Sequence, residues 1–162
     1  MKKIAILTLL AFFTFSSSQE VFARGDSYRS IANFVYNMPK MMRLSNQDIC
    51  VYGYDQVAVS LKEKYDGIIF FKNNSALLKA DFSTNKCQIF YISKNKNAES
   101  QAIELANNSR IISVSVDEDF VEKDGTVLIQ MGRRSFELTI NHKTMQKFNI
   151  KLDPVLEGLV IN

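Results

Sequence analysis

Read from its start, the chain sets Lys2 and Lys3 before an apolar run from Ile4 to Leu10 that continues through Ala11, Phe12, Phe13 and Phe15. A polar stretch, Ser16 to Glu20, leads into Val21-Phe22-Ala23. A basic start, a short apolar core and small or β-branched residues at the processing positions are the layout of a cleaved export signal. The run falls short of the roughly 18 apolar residues that an anchor needs to span a bilayer. Cleavage after Ala23 is therefore expected, which separates residues 1–23 from a single α/β domain over 24–162. The destination is the space beyond the inner membrane, the periplasm.

Within that domain the hydrophobic period alternates between helix and strand. Ile31, Phe34, Val35 and Met38 fall at helical spacing, with Ser27 as cap and Pro39 as stop. Ile49-Cys50-Val51-Tyr52, closed by Gly53, reads as a strand, and Asp55 then caps a helix whose inner face carries Val57, Ala58 and Leu61. Asp66-Gly67 turns into Ile68-Ile69-Phe70-Phe71, apolar at every position and so read as a strand covered on both faces. After a short irregular or helical stretch with Leu77 and Leu78 comes a third strand, Cys87 to Ile92. Asn97 caps a helix presenting Ala98, Ala102, Leu105 and Ala106, and Ile111 to Val116 is the fourth strand.

The last third changes character. Thr126 to Met131 and Arg134 to Ile140 are separated only by Gly132-Arg133, which suits a type II′ hairpin turn. A helix over Lys143 to Phe148 follows, and Asp153-Pro154 is a plausible start for another. Strands separated by helices argue for parallel pairing. The expected architecture is a mixed, mostly parallel sheet of about six strands with flanking helices and a C-terminal antiparallel hairpin.

Two cysteines, Cys50 and Cys87, lie in what the export signal makes an oxidising compartment, so one disulfide is the default and two buried free thiols the alternative. Charge adds little. The 20 basic and 17 acidic residues of the whole chain lose only Lys2, Lys3 and Glu20 with the leader, and nothing points to nucleic acid.

Candidate chemistry is sparse. His142 is the one histidine and no nucleophile elbow, Ser-x-x-Lys pair or zinc helix accompanies it, so no catalytic residue and no cofactor are expected. Asp117-Glu118-Asp119 lacks the alternating ligands and sharp glycine of a calcium loop and reads as a solvated loop without metal. Tyr52 and Tyr54 flank Gly53 at a strand's carboxyl end, where open α/β sheets take small ligands, and are the candidate ligand residues; the alternative is that they only cover the sheet edge. Met38, Met41 and Met42, with Arg43, make a candidate partner-binding surface if they point outward; turned inward they fill the space beneath the first helix.

Taken together, Phe34-Val35-Tyr36-Asn37, the strand Ile49 to Gly53, Cys87 to Ser93, and Gly125 to Ile140 followed by Phe148 to Leu152 resemble the YfiR family, in an order spanning Tyr28 to Val160. The resemblance implies a periplasmic repressor that binds the sensory region of an inner-membrane diguanylate cyclase and holds cyclic di-GMP synthesis down. Redox state and an outer-membrane lipoprotein are implied inputs, and cysteines at the positions of Cys50 and Cys87 are implied to pair. A sensor kinase as the membrane partner, and a homodimer, stay open. The chain departs from the family in reading Met38-Pro39-Lys40-Met41-Met42-Arg43 where a Trp-Pro pair is common, and in having no second cysteine pair. The competing reading is a periplasmic small-molecule-binding protein with no obligatory membrane partner.

Overall fold

Helical spacing of Ile31, Phe34, Val35 and Met38 puts one apolar stripe along the first helix, α1 (Ser17–Met41), and all four side chains are buried. The computed structural model describes residues 17–44, 48–79, 87–94, 99–132 and 136–160, with side chains from 27 onward except at 155. The leader's first 16 residues, the Asn97 cap and Arg133 of the hairpin turn lie outside the described residues. The expected cleavage point, Ala23, falls within α1.

The ends of α1 differ from the expected Ser27 cap and Pro39 stop. The helix begins upstream at Ser17 and carries Pro39 inside its last turn. Its stop is set by Arg43, whose φ of 53° is left-handed. The Leu44 amide bonds back to the Pro39 carbonyl at 2.9 Å and the Arg43 amide to the Lys40 carbonyl at 3.1 Å. That pair of bonds is a Schellman cap, which closes the helix independently of the proline.

The remaining elements follow as β1 (Ile49–Tyr52), α2 (Gln56–Lys64), β2 (Ile69–Phe71), α3 (Asn74–Leu78), β3 (Ile89–Ile92), α4 (Glu99–Asn108), β4 (Ile112–Ser115), β5 (Val127–Met131), β6 (Phe136–Ile140), α5 (His142–Phe148) and α6 (Pro154–Glu157). They build one six-stranded sheet in the order β2-β1-β3-β4-β5-β6. Neighbours from β2 through β5 are parallel and only β5 with β6 is antiparallel.

Alternation along the strands divides the core in two. Ile49, Val51, Ile89, Tyr91, Ile112 and Val114 face the α1 and α2 side, where Val57, Ala58 and Leu61 meet them. Cys50, Tyr52, Phe90 and Ile92 face the other side, packed with Leu77 of α3 and Ala102, Ile103 and Ala106 of α4. Each fully buried aliphatic side chain such as Leu61 contributes about 2 kcal/mol of transfer free energy.

One strand is less covered than its composition suggested. The run Ile68 to Phe71, expected to be covered on both faces, forms the edge strand β2, with Ile69 and Phe70 only half-buried. A continuous apolar run reports contact above and below a strand but carries no information about its lateral neighbours. At the opposite edge the C-terminal tail lies along β6, where the Leu138 amide donates to the Leu159 carbonyl at 2.8 Å and Leu138 bridges Val160.

Candidate functional site

The strand order reverses between β1 and β3, because β2 lies to one side of β1 and β3 to the other. In open α/β sheets such a reversal leaves a crevice at the strands' carboxyl ends. Here its residues are turned on one another. Gly53 has φ 88° and packs so closely on Ser93 that a Cβ at position 53 would land on the Ser93 hydroxyl. The Ser93 amide also bonds to the Tyr52 carbonyl at 2.9 Å.

Beside them, Asp55 caps α2 by accepting the Ala58 amide on Oδ1 at 2.8 Å, and its Oδ2 accepts the Tyr91 hydroxyl at 2.8 Å. Tyr91 is fully buried. Burial first, then the Asp55 charge and its hydrogen bond, push the phenol well above its usual range. The helix terminus that would attract an anion is thus already occupied by the protein's own carboxylate.

Tyr52 and Tyr54 do not converge on this crevice. Tyr52 is 1% exposed and its hydroxyl donates to the Asn74 side chain at the start of α3. Tyr54 is 74% exposed, because the left-handed turn at Gly53 breaks the strand's alternation. The expectation of a shared ligand role for the two tyrosines is corrected by this: Tyr52 is structural, tying β1 to α3.

The carboxyl ends of β3 and β4 hold a charged network that sequence reasoning missed. Lys94 lies 3.1 Å from Asp117 Oδ1, and Lys123 lies 3.5 Å from Asp117 Oδ2 and 3.0 Å from Glu99 Oε2. Glu99 and Asp117 are both buried, and Glu99 Oε1 has no hydrogen-bond partner among the described residues. Of the acidic run, only Glu118 and Asp119 are exposed; Asp117 turns inward, a correction to the solvated-loop reading. Burial acts to raise the Asp117 pKa, but the hydrogen bond from Lys94 and the charge of Lys123 outweigh it and hold the carboxyl below its usual value. Among the described residues no three His, Cys, Asp or Glu side chains converge as metal ligands. Glu99 and Lys123 are 24 positions apart, so no local motif announces their pairing.

The methionines divide as well. Met38 and Met42 are buried in the core and cannot belong to an outward partner surface; Met41 is half-buried, and only Arg43 of the four is exposed. The cause is the helical stripe itself, which carries Met38 inward, and the Schellman cap, which folds Met42 under the helix end. Arg43 pairs with Asp153 at 3.0 Å, joining the end of α1 to the segment before α6.

Cys50 and Cys87 are joined in a disulfide with a Cα–Cα distance of 5.7 Å, inside the ordinary range. Both cysteines are buried among Tyr52, Phe71, Leu77 and Phe90, so the bond clamps β1 to the approach of β3 within the core. A separate open groove of about 350 Å³ runs beside α5, with Met145, Ile150, Leu152 and Val160 as apolar floor and His142, Gln146 and Glu157 at its rim. His142 itself is the exposed first residue of α5, behind the Asn141 cap.

Residues 28–159 match the family model described as YfiR/HmsC-like. The chain belongs to the YfiR/HmsC-like family. The match spans every strand of the sheet and both halves of the core, so it is the whole domain of this YfiR-like protein that is related. Members of the family are periplasmic regulators of diguanylate cyclase signalling rather than enzymes. No curated protein matches the chain. Among the described residues of this YfiR-like chain no helix is long and apolar enough to cross a membrane.

Proposed function

We propose that the chain is exported, loses residues 1–23 and acts in the periplasm by binding the sensory region of an inner-membrane diguanylate cyclase and repressing it. The observation that carries this reading is the family match over residues 28–159, which takes in the whole sheet. The buried Cys50–Cys87 bond supports a redox input, since it holds β1 to the segment leading into its neighbour β3 and its loss would alter their packing. An outer-membrane lipoprotein is the accompanying partner in this reading, and a membrane sensor kinase is the substitute target.

Deleting the gene tests it: cellular cyclic di-GMP rises, and a tagged protein recovered from the periplasm starts at Arg24 and co-purifies with a membrane cyclase. Unchanged cyclic di-GMP together with no co-purifying cyclase or kinase sinks the reading. A second reading, small-molecule binding, is favoured by the groove beside α5, whose volume and apolar floor suit a small amphipathic ligand. A metabolite that raises the melting temperature of the isolated protein, with Gln146→Trp abolishing the rise, supports it.

A further inference from the structure

The groove beside α5 has an apolar floor and two unlike banks. Met145, Ile150, Leu152 and Val160 line the bottom, all flexible side chains without a ring, and the last three are only half-buried. No phenyl, phenol or indole lies among its described lining residues. A flat aromatic metabolite would find nothing there to stack on, whereas side chains of this kind close well around another flexible chain.

The banks differ in charge. His142 and Gln146 form one of them, a turn apart on α5, and Lys143 and Lys147 stand one residue on, about 100° further round the helix. Thr144 and Met145 take the buried side, which leaves the two lysines exposed on the outer lip. Lys151, also exposed, comes between the floor residues Ile150 and Leu152. The far bank offers one acid, Glu157, while Asp153 is engaged by Arg43. Three ammonium groups near one bank against a single carboxylate on the other favour an anionic head on the α5 side.

The volume sets the length of the chain. About 350 Å³ is the share of roughly a dozen waters at about 30 Å³ each, and a methylene takes much the same room as a water. We propose, on the reading of this groove as a ligand site, that its ligand is a fatty acid with a straight chain of about twelve carbons. The chain lies along Met145, Ile150, Leu152 and Val160, and the carboxylate meets Lys143 and Lys147 at the lip.

Calorimetry and thermal melts of the processed chain with dodecanoate, kept below its micelle-forming concentration, test this. Dodecanoate is expected to bind and to raise the melting temperature. Full burial of one methylene is worth about fourfold in affinity and an open groove about half of that free energy, so octanoate should bind about fifteenfold more weakly. Lys143→Glu with Lys147→Glu lowers dodecanoate affinity about fivefold and raises that of dodecyltrimethylammonium. Gln146→Trp fills the groove and abolishes both. All three positions are exposed, and circular dichroism confirms that the variants fold. In methyl NMR spectra the signals of Met145, Ile150, Leu152 and Val160 move as dodecanoate is added.

Dodecanoate that does not bind, binds no better than octanoate, or binds Gln146→Trp as well as the wild type overturns the proposal. If another metabolite then raises the melting temperature and Gln146→Trp removes the rise, the groove is a ligand site of different chemistry. If none does, the ligand-site reading falls with it.

Discussion

The hydroxyl of Tyr91 donates to Oδ2 of Asp55 across 2.8 Å, while the other oxygen of that carboxylate holds the first turn of α2. One side chain therefore does two things, capping a helix and satisfying a phenol that water cannot reach. Asp55→Ala removes the cap, about 1 kcal/mol, and strands the buried hydroxyl, about 1–3 kcal/mol, so a loss of about 2–4 kcal/mol is expected. Tyr91→Phe leaves the cap in place and should cost only about 1 kcal/mol. Urea unfolding followed by circular dichroism separates the two; equal losses would mean that the cap contributes nothing.

Gly53 and Ser93 make the second prediction. Gly53→Ala meets both the Ser93 hydroxyl and a backbone at φ 88°, which L-residues rarely adopt. Overpacking of this kind costs about 1–3 kcal/mol and the left-handed conformation about 1–2 kcal/mol more. Adding Ser93→Gly relieves the first cost but not the second, so the double variant should recover part of the lost stability. Full recovery in urea melts would show that backbone strain at position 53 is negligible.

The disulfide gives the third. Its two cysteines are 37 positions apart, and closing that loop in the unfolded chain stabilises the fold by up to about 4 kcal/mol. Cys50→Ala with Cys87→Ala, or a strong reductant, should lower the urea midpoint by a corresponding amount. Because both cysteines are buried, alkylation of the native protein under mild reduction should be far slower than that of the unfolded chain. Equal alkylation rates would show a readily opened bond and strengthen a redox input.

How much of this was legible in the sequence depends on how far apart the deciding residues lie. The order of strands and helices follows from local period, and the Asp55 cap follows from one residue in the right place, since Ala58 is only three positions away. The end of α1 was misread at Pro39 because the Schellman cap rests on the conformation of Arg43, a residue type with no special preference for it. The position of β2 at the edge, and the inward turn of Asp117, depend on partners elsewhere in the chain. Lys123 and Glu99 meet only because the β4–β5 connection folds back onto the start of α4, a contact that no window of sequence contains.

That contact carries the last prediction. Lys123 is the only hydrogen-bond partner of the Glu99 carboxylate among the described residues, and its loss leaves a buried charged group unpaired. Lys123→Met should therefore cost about 1–3 kcal/mol at neutral pH, more than an exposed lysine elsewhere, where the cost is near zero. The pH dependence follows from the shifts. The Asp117 carboxyl is held below its ordinary value of 3.8, so its contribution is complete above that value and is lost as pH falls through the lower folded value. Hydrogen bonds to Glu99 and Asp117 respectively hold Lys123 and Lys94 above 10.5, so their contributions are complete below that value and are lost as pH rises through the higher folded ones. The network thus contributes fully between about pH 4 and 10.5. Wild type and Lys123→Met should differ most on that plateau and converge as acid protonates Asp117, because the variant has fewer charge contacts to lose. Urea unfolding at neutral pH and at a pH below the depressed Asp117 value reads the difference directly. A gap of the same size at both would mean that Lys123 holds the loop by the packing of its stem, with its ammonium incidental.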